Sequence, residues 1–475
     1  MASGVGDALG AGFEFGAARY AGTPAMIGGG LGGFAPGEWT DDTAQAVAIA
    51  RVAATGADLR RGKALDAVAA GFAEWYAGDP ADVGVQTAQV LRLAGHEADA
   101  ATMADAAAEV HRRTGRSAGN GSLMRTGPVA LAYLDDPVDL VEAAMRVSAL
   151  THHDPVAGEG AALWCLMIRH AVLYGELPAA HQVLASMPTT THDWAAALSE
   201  AEALPPSTFT TNGWVVGAVQ AAWSAITHTP VPDGMPCRHL QHALATAIGI
   251  GHDTDTVAAV AGALLGARWG ASAVPQRWQA PLHGWGLPDA VTGGIGGAPG
   301  LVALASLTVR GGRPDRRGWP RVARVPYRRD EAAGTCVPHP LVRNVWIGDA
   351  RGLRHLPHEV DAVVSLCRVG PEQAPIGVVT HQVRLVDSTP DDNPNVDFVI
   401  DDAARTVLGL REAGHRVFLH CVAGRSRTPT VAARVAVLDG TPLGDAVRDV
   451  VRVLPGARPQ SWLLDSLRRL CQEPR

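Results

Sequence analysis

From the start of the chain to about residue 305, apolar positions recur at three- and four-residue intervals, separated by short Gly, Pro and Asp turns. Ala-rich runs of this kind cover Asp41–Ala54, Lys63–Tyr76, Asp139–Leu150 and Val156–Tyr174. That spacing draws one apolar stripe along a helix, and few alternating β-branched runs interrupt it. The pattern predicts an all-α domain over residues 1–305. Residues 306–340 keep neither period and are rich in Pro, Gly and Arg, which is how a linker reads. Beyond it the runs VWIG, AVVSL, HQVRLV and RVFLH alternate with helical patterns at Asp397–Arg411, Thr428–Leu438, Gly444–Val453 and Ser461–Leu470. This alternation predicts an α/β domain with a mostly parallel sheet over residues 341–475.

Length alone would allow two or three domains in 475 residues, and the pattern selects two. A net charge of −7 argues against nucleic acid as a partner held by global charge. No apolar run looks long enough to span a membrane, and no basic stretch precedes an apolar core at the N-terminus. Six scattered cysteines form neither a disulfide framework nor a metal knuckle, so a cytoplasmic protein with no membrane partner is expected. One lysine, Lys63, stands against 39 arginines, which reads as codon bias. The eight arginines and two aspartates of residues 310–330 therefore read first as a solvated linker, and second as a patch for an anionic partner.

One short segment carries specific chemistry. In RVFLHCVAGRSRTPT an apolar strand ends at His420, a loop follows, and a helix opens near Pro429. Backbone N–H groups and a helix N-terminus then converge on one concavity suited to phosphate oxygens. Cys421 at its base meets positive potential that favours a nucleophilic thiolate, and Arg427 can fork two phosphoryl oxygens. Upstream, Asp387 in RLVDSTPDDNP stands where a mobile loop could present a general acid, with Asp391 and Asp392 as competitors. The H-C-x5-R-[ST] pattern resembles the dual-specificity branch of the protein tyrosine phosphatases, over roughly residues 341–470. The resemblance implies Cys421 as nucleophile, Arg427 as phosphoryl clamp, Asp387 as acid and Thr428 as the group that helps the cysteine depart. Gly424 and Ser426 would belong to the phosphate-binding loop. A phosphorylated protein or other phosphate monoester would be the substrate, with no cofactor.

Four polar islands stand out among the N-terminal helices: GDALGAGFEF, GEWTDDTAQA, SAGNGSLMRTGPVAL and GIGHDTDTVAA. The second and fourth each place two carboxylates and hydroxyls at the start of an apolar helical run. Singly, each reads as an N-cap. Together their four carboxylates need compensation, and hard oxygen donors suit Mg²⁺ or Mn²⁺. Asp7 and Glu14 are seven apart and would share one helical face.

These islands, in this order, resemble the ADP-ribosylglycohydrolase family over nearly the whole first 300 residues. The resemblance implies an all-α fold and two Mg²⁺ or Mn²⁺ ions held by Thr40, Asp41, Asp42, Asp253, Asp255 and Thr256. Glu14 would activate water or polarise the ribose, while the metals bind the distal ribose hydroxyls and water attacks C1″. Gly119, Asn120, Gly121 and Ser122, followed by Met124 and Arg125, match a loop along the diphosphate and ribose, and His152 a ligand-facing position. ADP-ribosylated protein or an ADP-ribose-type metabolite would be the substrate. Members of that family usually carry more helix before the first island, His252 replaces a small or amide residue, and Gly217 stands where Glu is common. The whole chain therefore reads as a bifunctional hydrolase. The alternative is a non-catalytic ADP-ribose-binding module that targets an active phosphatase.

Overall fold

Two glycines let the first helix lie almost backbone to backbone against a partner 250 residues away. On α1 (Ala2–Gly10), a Cβ at Gly6 would stand 2.1 Å from the carbonyl oxygen of Ala258, and one at Gly10 2.4 Å from the Cα of Asp255. Ala258 and Asp255 belong to α5 (Thr254–Trp269), where Gly262 makes the reciprocal approach to the carbonyl oxygen of Ala2. Helix α2 (Asp41–Ala53) starts beside them. Its first turn is fixed by Asp7 of α1, whose carboxylate accepts from the backbone N–H of Thr40 and Thr43 at 3.0 Å and from the Thr43 hydroxyl at 2.5 Å. Three helices thus bring their polar ends to one point.

The computed structural model describes residues 1–287, 295–327, 334–373 and 375–472. Inter-residue contacts divide them into a helical unit, comprising most of residues 1–314, and a second unit of Asp315–Arg475 with the short segments Pro232–Cys237 and Pro275–Ala280. The expected N-terminal helices are found at Asp41–Ala53, Gly62–Ala77, Pro137–Ala149 and, as α3, Pro155–Tyr174. The last two start slightly early because Asp136 and Asp154 cap them and proline follows each cap. Helix α3 is, against expectation, long and apolar enough to cross a membrane by length and composition; most of it is buried, so it also fits the centre of a helical core. Helix α4 (Val215–His228) packs beside it, and a Cβ at Gly217 would sit 2.1 Å from the carbonyl oxygen of Thr211. A glutamate there has no room.

The second unit contains, among the described residues, a five-stranded sheet in the order β1-β2-β5-β3-β4: β1 (Cys336–Pro338), β2 (Val345–Asp349), β3 (Ala362–Ser365), β4 (Val379–Gln382) and β5 (Val417–Cys421). All pairings are parallel except β1 with β2. Fully buried β5 lies in the middle, and α6 (Val396–Glu412) and α7 (Arg427–Leu438) pack nearby. The loop after β5 therefore opens at the carboxyl end of the sheet, between two neighbouring strand ends, where ligands of open α/β sheets bind.

Two expectations change. Strand β4 starts earlier than HQVRLV and ends at Gln382, although Val383 still donates to the carbonyl of Ser365 at 2.9 Å. The segment expected as a linker is largely built into structure. A helix runs on to Val309, and Cys336–Pro338 forms the antiparallel edge strand. Between them Arg324 pairs with Glu372 at 3.1 Å, Val325 donates to Gln373 at 2.7 Å, and Trp319 is buried under the Arg368 guanidinium. Arg328, Arg329 and Asp330 of the basic stretch lie outside the described residues.

Candidate functional site

The convergence of α1, α2 and α5 gathers carboxylates that no isolated helix would tolerate. Asp7, Asp42 and Asp255 each bring an oxygen within 4.8 Å of the others, and so do Glu14, Asp253 and Asp255. Asp255 is common to both groups, which gives two adjacent oxygen-lined positions. Asp41 stands beside them, its carboxylate accepting from the Gly84 N–H at 3.2 Å and from Gln45 at 3.3 Å. The Thr40 and Thr256 hydroxyls both donate to one oxygen of Asp42, at 3.2 and 3.3 Å. The other Asp42 oxygen is buried with no hydrogen-bond partner among the described residues. An orphaned carboxylate oxygen in an all-oxygen donor set is what a hard divalent cation satisfies.

Electrostatics agree. Burial, and then the charge of Asp253, pushes the Glu14 carboxyl up to about 8. Burial followed by the charge of Asp82 raises Asp41 to about 7, and burial raises Asp7 to about 6 against its bonds to Thr43 and Thr40. Asp42, Asp253 and Asp255 are raised by burial too, Asp42 and Asp255 strongly and further by neighbouring carboxylates. Negative charge here is uncompensated by protein, which fits cation binding.

Glu14 reaches this centre by a different route from the one its spacing suggested. Helix α1 ends at Gly10, and Glu14 has extended dihedrals (φ −54°, ψ 132°), so it does not share a helical face with Asp7. Phe15 then turns into the left-handed region, and its N–H donates to the carbonyl of His252 at 2.7 Å. His252 is itself left-handed (φ 62°), a conformation easier for the amide residues usual there. Asp7, given no ligand role from sequence, proves central; its signal was the small-residue spacing that lets α1 approach α5.

A cavity of about 350 Å³ opens over the centre, lined by Glu14, Asp41, Gly119, Gly121, His152, Asp253, Asp255 and Thr256 among others. Gly119 and Gly121 form a wall against the His152 ring, as a Cβ on either would come within 3.5 Å of Nε2. Asn120 is turned inward, its amide donating to Asp253 at 2.7 Å and to the Asn212 carbonyl at 2.8 Å. It positions a carboxylate more directly than it meets a ligand. Ser122 is corrected: it is fully buried, accepts from Ser148 at 2.8 Å and does not line the cavity. Arg125 is likewise wholly buried behind the wall. A larger cavity of about 490 Å³ in the helical unit is mainly apolar and is lined by none of these carboxylates.

In the second unit β5 ends at Cys421, the loop turns through Gly424 (φ 67°), and α7 starts at Arg427. Arg427 is buried. Its Nη1 donates to the carbonyls of Leu366 and Leu385 at 2.5 and 2.9 Å, and its Nη2 pairs with Asp387 at 3.3 Å. Nε has no partner among the described residues. Gln460, which sequence reasoning missed, joins the two loops: its backbone N–H donates to Ser426 Oγ at 3.2 Å and its side chain to Asp387 at 3.0 Å. The Thr428 hydroxyl donates to the Gly348 carbonyl at 3.1 Å. Burial pushes the His420 imidazole down to about 4, and its Nε2 lies 2.8 Å from the Ser365 hydroxyl. Asp391 and Asp392 sit in an exposed turn, where Asp392 accepts from Ser388.

The helical unit and its acidic cavity define a class, an all-α unit built round a buried carboxylate centre whose oxygens could hold a divalent cation. Residues 1–307 match the model of the ADP-ribosylglycohydrolase family, and the chain belongs to that family. The ADP-ribosyl-[dinitrogen reductase] glycohydrolase of Rhodospirillum rubrum is 27% identical over 285 residues, which cover 58% of this chain and 86% of that protein. ADP-ribosylhydrolase ARH3 of Bos taurus is 29% identical over 282 residues, covering 52% of this chain and 74% of the relative. Human DUSP28, a solved structure, is 22% identical with a TM-score of 0.25, covering 28% of this chain and 94% of that one. The helical unit is thus a hydrolase of the ADP-ribosylglycohydrolase type.

Proposed function

We propose that the chain is a bifunctional hydrolase: the helical unit cleaves the glycosidic bond to the distal ribose of ADP-ribose, and the second unit hydrolyses phosphate monoesters through Cys421. The observation that carries the first part is the pair of oxygen-lined positions sharing Asp255, with an orphaned oxygen on Asp42. Asp41, Asp42, Asp253, Asp255, Thr40 and Thr256 would hold two Mg²⁺ or Mn²⁺ ions, with Asp7 bracing the set. When bound, such ions supply fixed positive charge for the ribose hydroxyl oxygens. The chain's own groups do the rest. Glu14, on the cavity wall, takes the proton of the attacking water and returns it to the aglycone as its bond to the ribose breaks; the Gly119–Gly121 wall lets ligand oxygens approach backbone; His152 bounds the far side. ADP-ribosylated protein and ADP-ribose-type metabolites are the substrates this reading supports.

For the second unit the supporting observation is the buried, unpartnered Nε of Arg427 beside Cys421. A donor edge left unsatisfied where a loop and a helix N-terminus converge suits a phosphoryl group. The thiolate attacks phosphorus and Arg427 holds two oxygens, while Asp387, released from Arg427 and protonated from solvent, gives that proton to the leaving oxygen as the P–O bond breaks. Water then cleaves the phosphocysteine and returns its proton to Asp387. A paired assay tests both parts. Glu14→Gln and Asp255→Ala should abolish Mg²⁺-dependent ADP-ribose release and leave aryl phosphate hydrolysis intact, and Cys421→Ser should do the reverse. ADP-ribose release that persists in both acidic variants and in a chelator overturns the first assignment; aryl phosphate hydrolysis that persists in Cys421→Ser overturns the second.

A further inference from the structure

Arg125 is a fully buried cation with no carboxylate bonded to it among the described residues. Its guanidinium lies 4.4 Å over the Phe72 ring, Nη1 donates to Gln45 Oε1 at 2.5 Å, and Nη2 donates to Thr151 Oγ1 at 2.6 Å and to the Val147 carbonyl at 3.5 Å. A guanidinium only donates, so each side chain hydrogen-bonded to it must present an acceptor and keeps its own hydrogen for the group beyond. On one side Gln45 must turn its oxygen to Arg125, and its NH₂ then faces Asp41 at 3.3 Å. On the other side the Thr151 oxygen is taken as acceptor, so its own O–H points to the neighbour left in reach, Nδ1 of His152 at 2.8 Å.

An Nδ1 that accepts is unprotonated, which puts the ring's single proton on Nε2. That nitrogen is the one against the Gly119–Gly121 wall, in the cavity that also holds Asp41, Asp253 and Asp255. Burial, then the nearby Arg125 charge, pushes His152 down to about 3, so the ring stays neutral at ordinary pH. We infer that Arg125 is a positioning residue that fixes His152 as the Nε2–H tautomer through Thr151, so that the cavity presents a hydrogen-bond donor to a phosphate or ribose oxygen. The second relay, through Gln45, holds Asp41 from the same guanidinium. This inference rests on reading the cavity as the ADP-ribosyl site, and it explains why an arginine in the glycine-rich island is buried behind the wall and does not line the cavity.

The test uses the full-length protein, metal-free, with ¹⁵N-labelled histidine. The His152 resonances, assigned by loss in His152→Asn, should show Nε2 protonated and Nδ1 bare. Thr151→Val keeps the shape but removes the relay; it should mix the tautomers or reverse them and weaken ADP-ribose binding, measured calorimetrically with Mg²⁺, about tenfold, the scale of one directed hydrogen bond. Thr151→Ser should restore both. Arg125→Met should disturb the tautomer in the same way with the Thr151 hydroxyl still present. A wild-type ring protonated on Nδ1, or a tautomer unchanged in both Thr151→Val and Arg125→Met, overturns the inference. A correct tautomer in a protein that fails to bind ADP-ribose overturns instead the reading of the cavity, since the ligand-free spectrum is independent of it.

Discussion

Replacing Asp42 by Asn should make the metal-free helical unit more stable at pH 8, although it removes a residue of the site. In the folded chain Asp7, Glu14 and Asp41 are raised to about 6, 8 and 7, and Asp42, Asp253 and Asp255 are raised as well. Unfolded, these groups ionise near their ordinary values. Between about pH 4 and 8 the unfolded state has therefore released protons that the folded state retains, and rising pH favours unfolding. The contribution is fully present below the unfolded value and is lost as pH climbs through the raised one. For Asp41 alone, a rise from 3.8 to about 7 is worth about 4 kcal/mol once the group ionises. In a unit of this size that lowers the melting temperature by on the order of 10 °C. Differential scanning calorimetry in EDTA from pH 5 to 8.5 should show the helical unit's transition falling across this range. Millimolar Mg²⁺ or Mn²⁺ should raise it again at the alkaline end, as any ligand of the native state does. Asp42→Asn should flatten the fall and abolish the gain from cation. If the metal-free wild type instead gains stability from pH 5 to 8, or Asp42→Asn melts lower than wild type in EDTA at pH 8, the acidic cluster is not a strained centre.

Gly6→Ala sets helix propensity, which alone would stabilise by about 1 kcal/mol, against a Cβ placed 2.1 Å from a backbone carbonyl. The clash should win and cost about 3 kcal/mol, measured by urea denaturation. Gln460→Ala should reduce hydrolysis of phenyl phosphate more than that of 4-nitrophenyl phosphate, because a poor leaving group needs Asp387 held in place; equal losses on both would remove Gln460 from the acid loop's control. Arg427→Lys should weaken inhibition by tungstate at least tenfold, as a single ammonium cannot replace the paired Nε and Nη2 edges.

Much of this was legible in the sequence because it depends on local order. The T-D-D and D-T-D-T islands sit where α2 and α5 begin, and a helix start is read from neighbours. The strand, loop and helix around Cys421 are contiguous too, and their order alone aims the loop. What escaped the sequence depends on contacts made at a distance. Glu14 kept its place at the centre but not its predicted helical face, because the backbone bends after Gly10 to meet His252. Ser122 and Arg125 sit in the glycine-rich island yet turn to the core, since alternate residues of a tight turn cannot all face one side. Gln460 lies 73 residues from Asp387 and has no local pattern to mark it. Cys336–Pro338, inside a Pro- and Arg-rich stretch, becomes a strand only because β2 offers an edge and Gly348 lets the Thr335 carbonyl close in.

The two candidate sites answer one electrostatic problem with opposite signs. Around Asp255 the protein concentrates carboxylates, with no cation hydrogen-bonded to them among the described residues; Arg125 stops one residue short, touching Gln45 and not Asp41. Had Arg125 reached the carboxylate, an internal ion pair would have satisfied the centre and removed its affinity for an external cation. Around Cys421 the positive end of a helix and Arg427 are concentrated instead, and the anion paired with Arg427, Asp387, is held at 3.3 Å on a single guanidinium nitrogen while Nε has no partner among the described residues. On the proposed phosphatase reading, that pairing would yield to a phosphoryl group, which would offer oxygens to both nitrogens at once and leave Asp387 to take up a proton for the leaving group. At the first site the neutralising group is kept at one remove by Gln45, and at the second it covers only part of the guanidinium, so each keeps an unmet charge suited to an external ion or group.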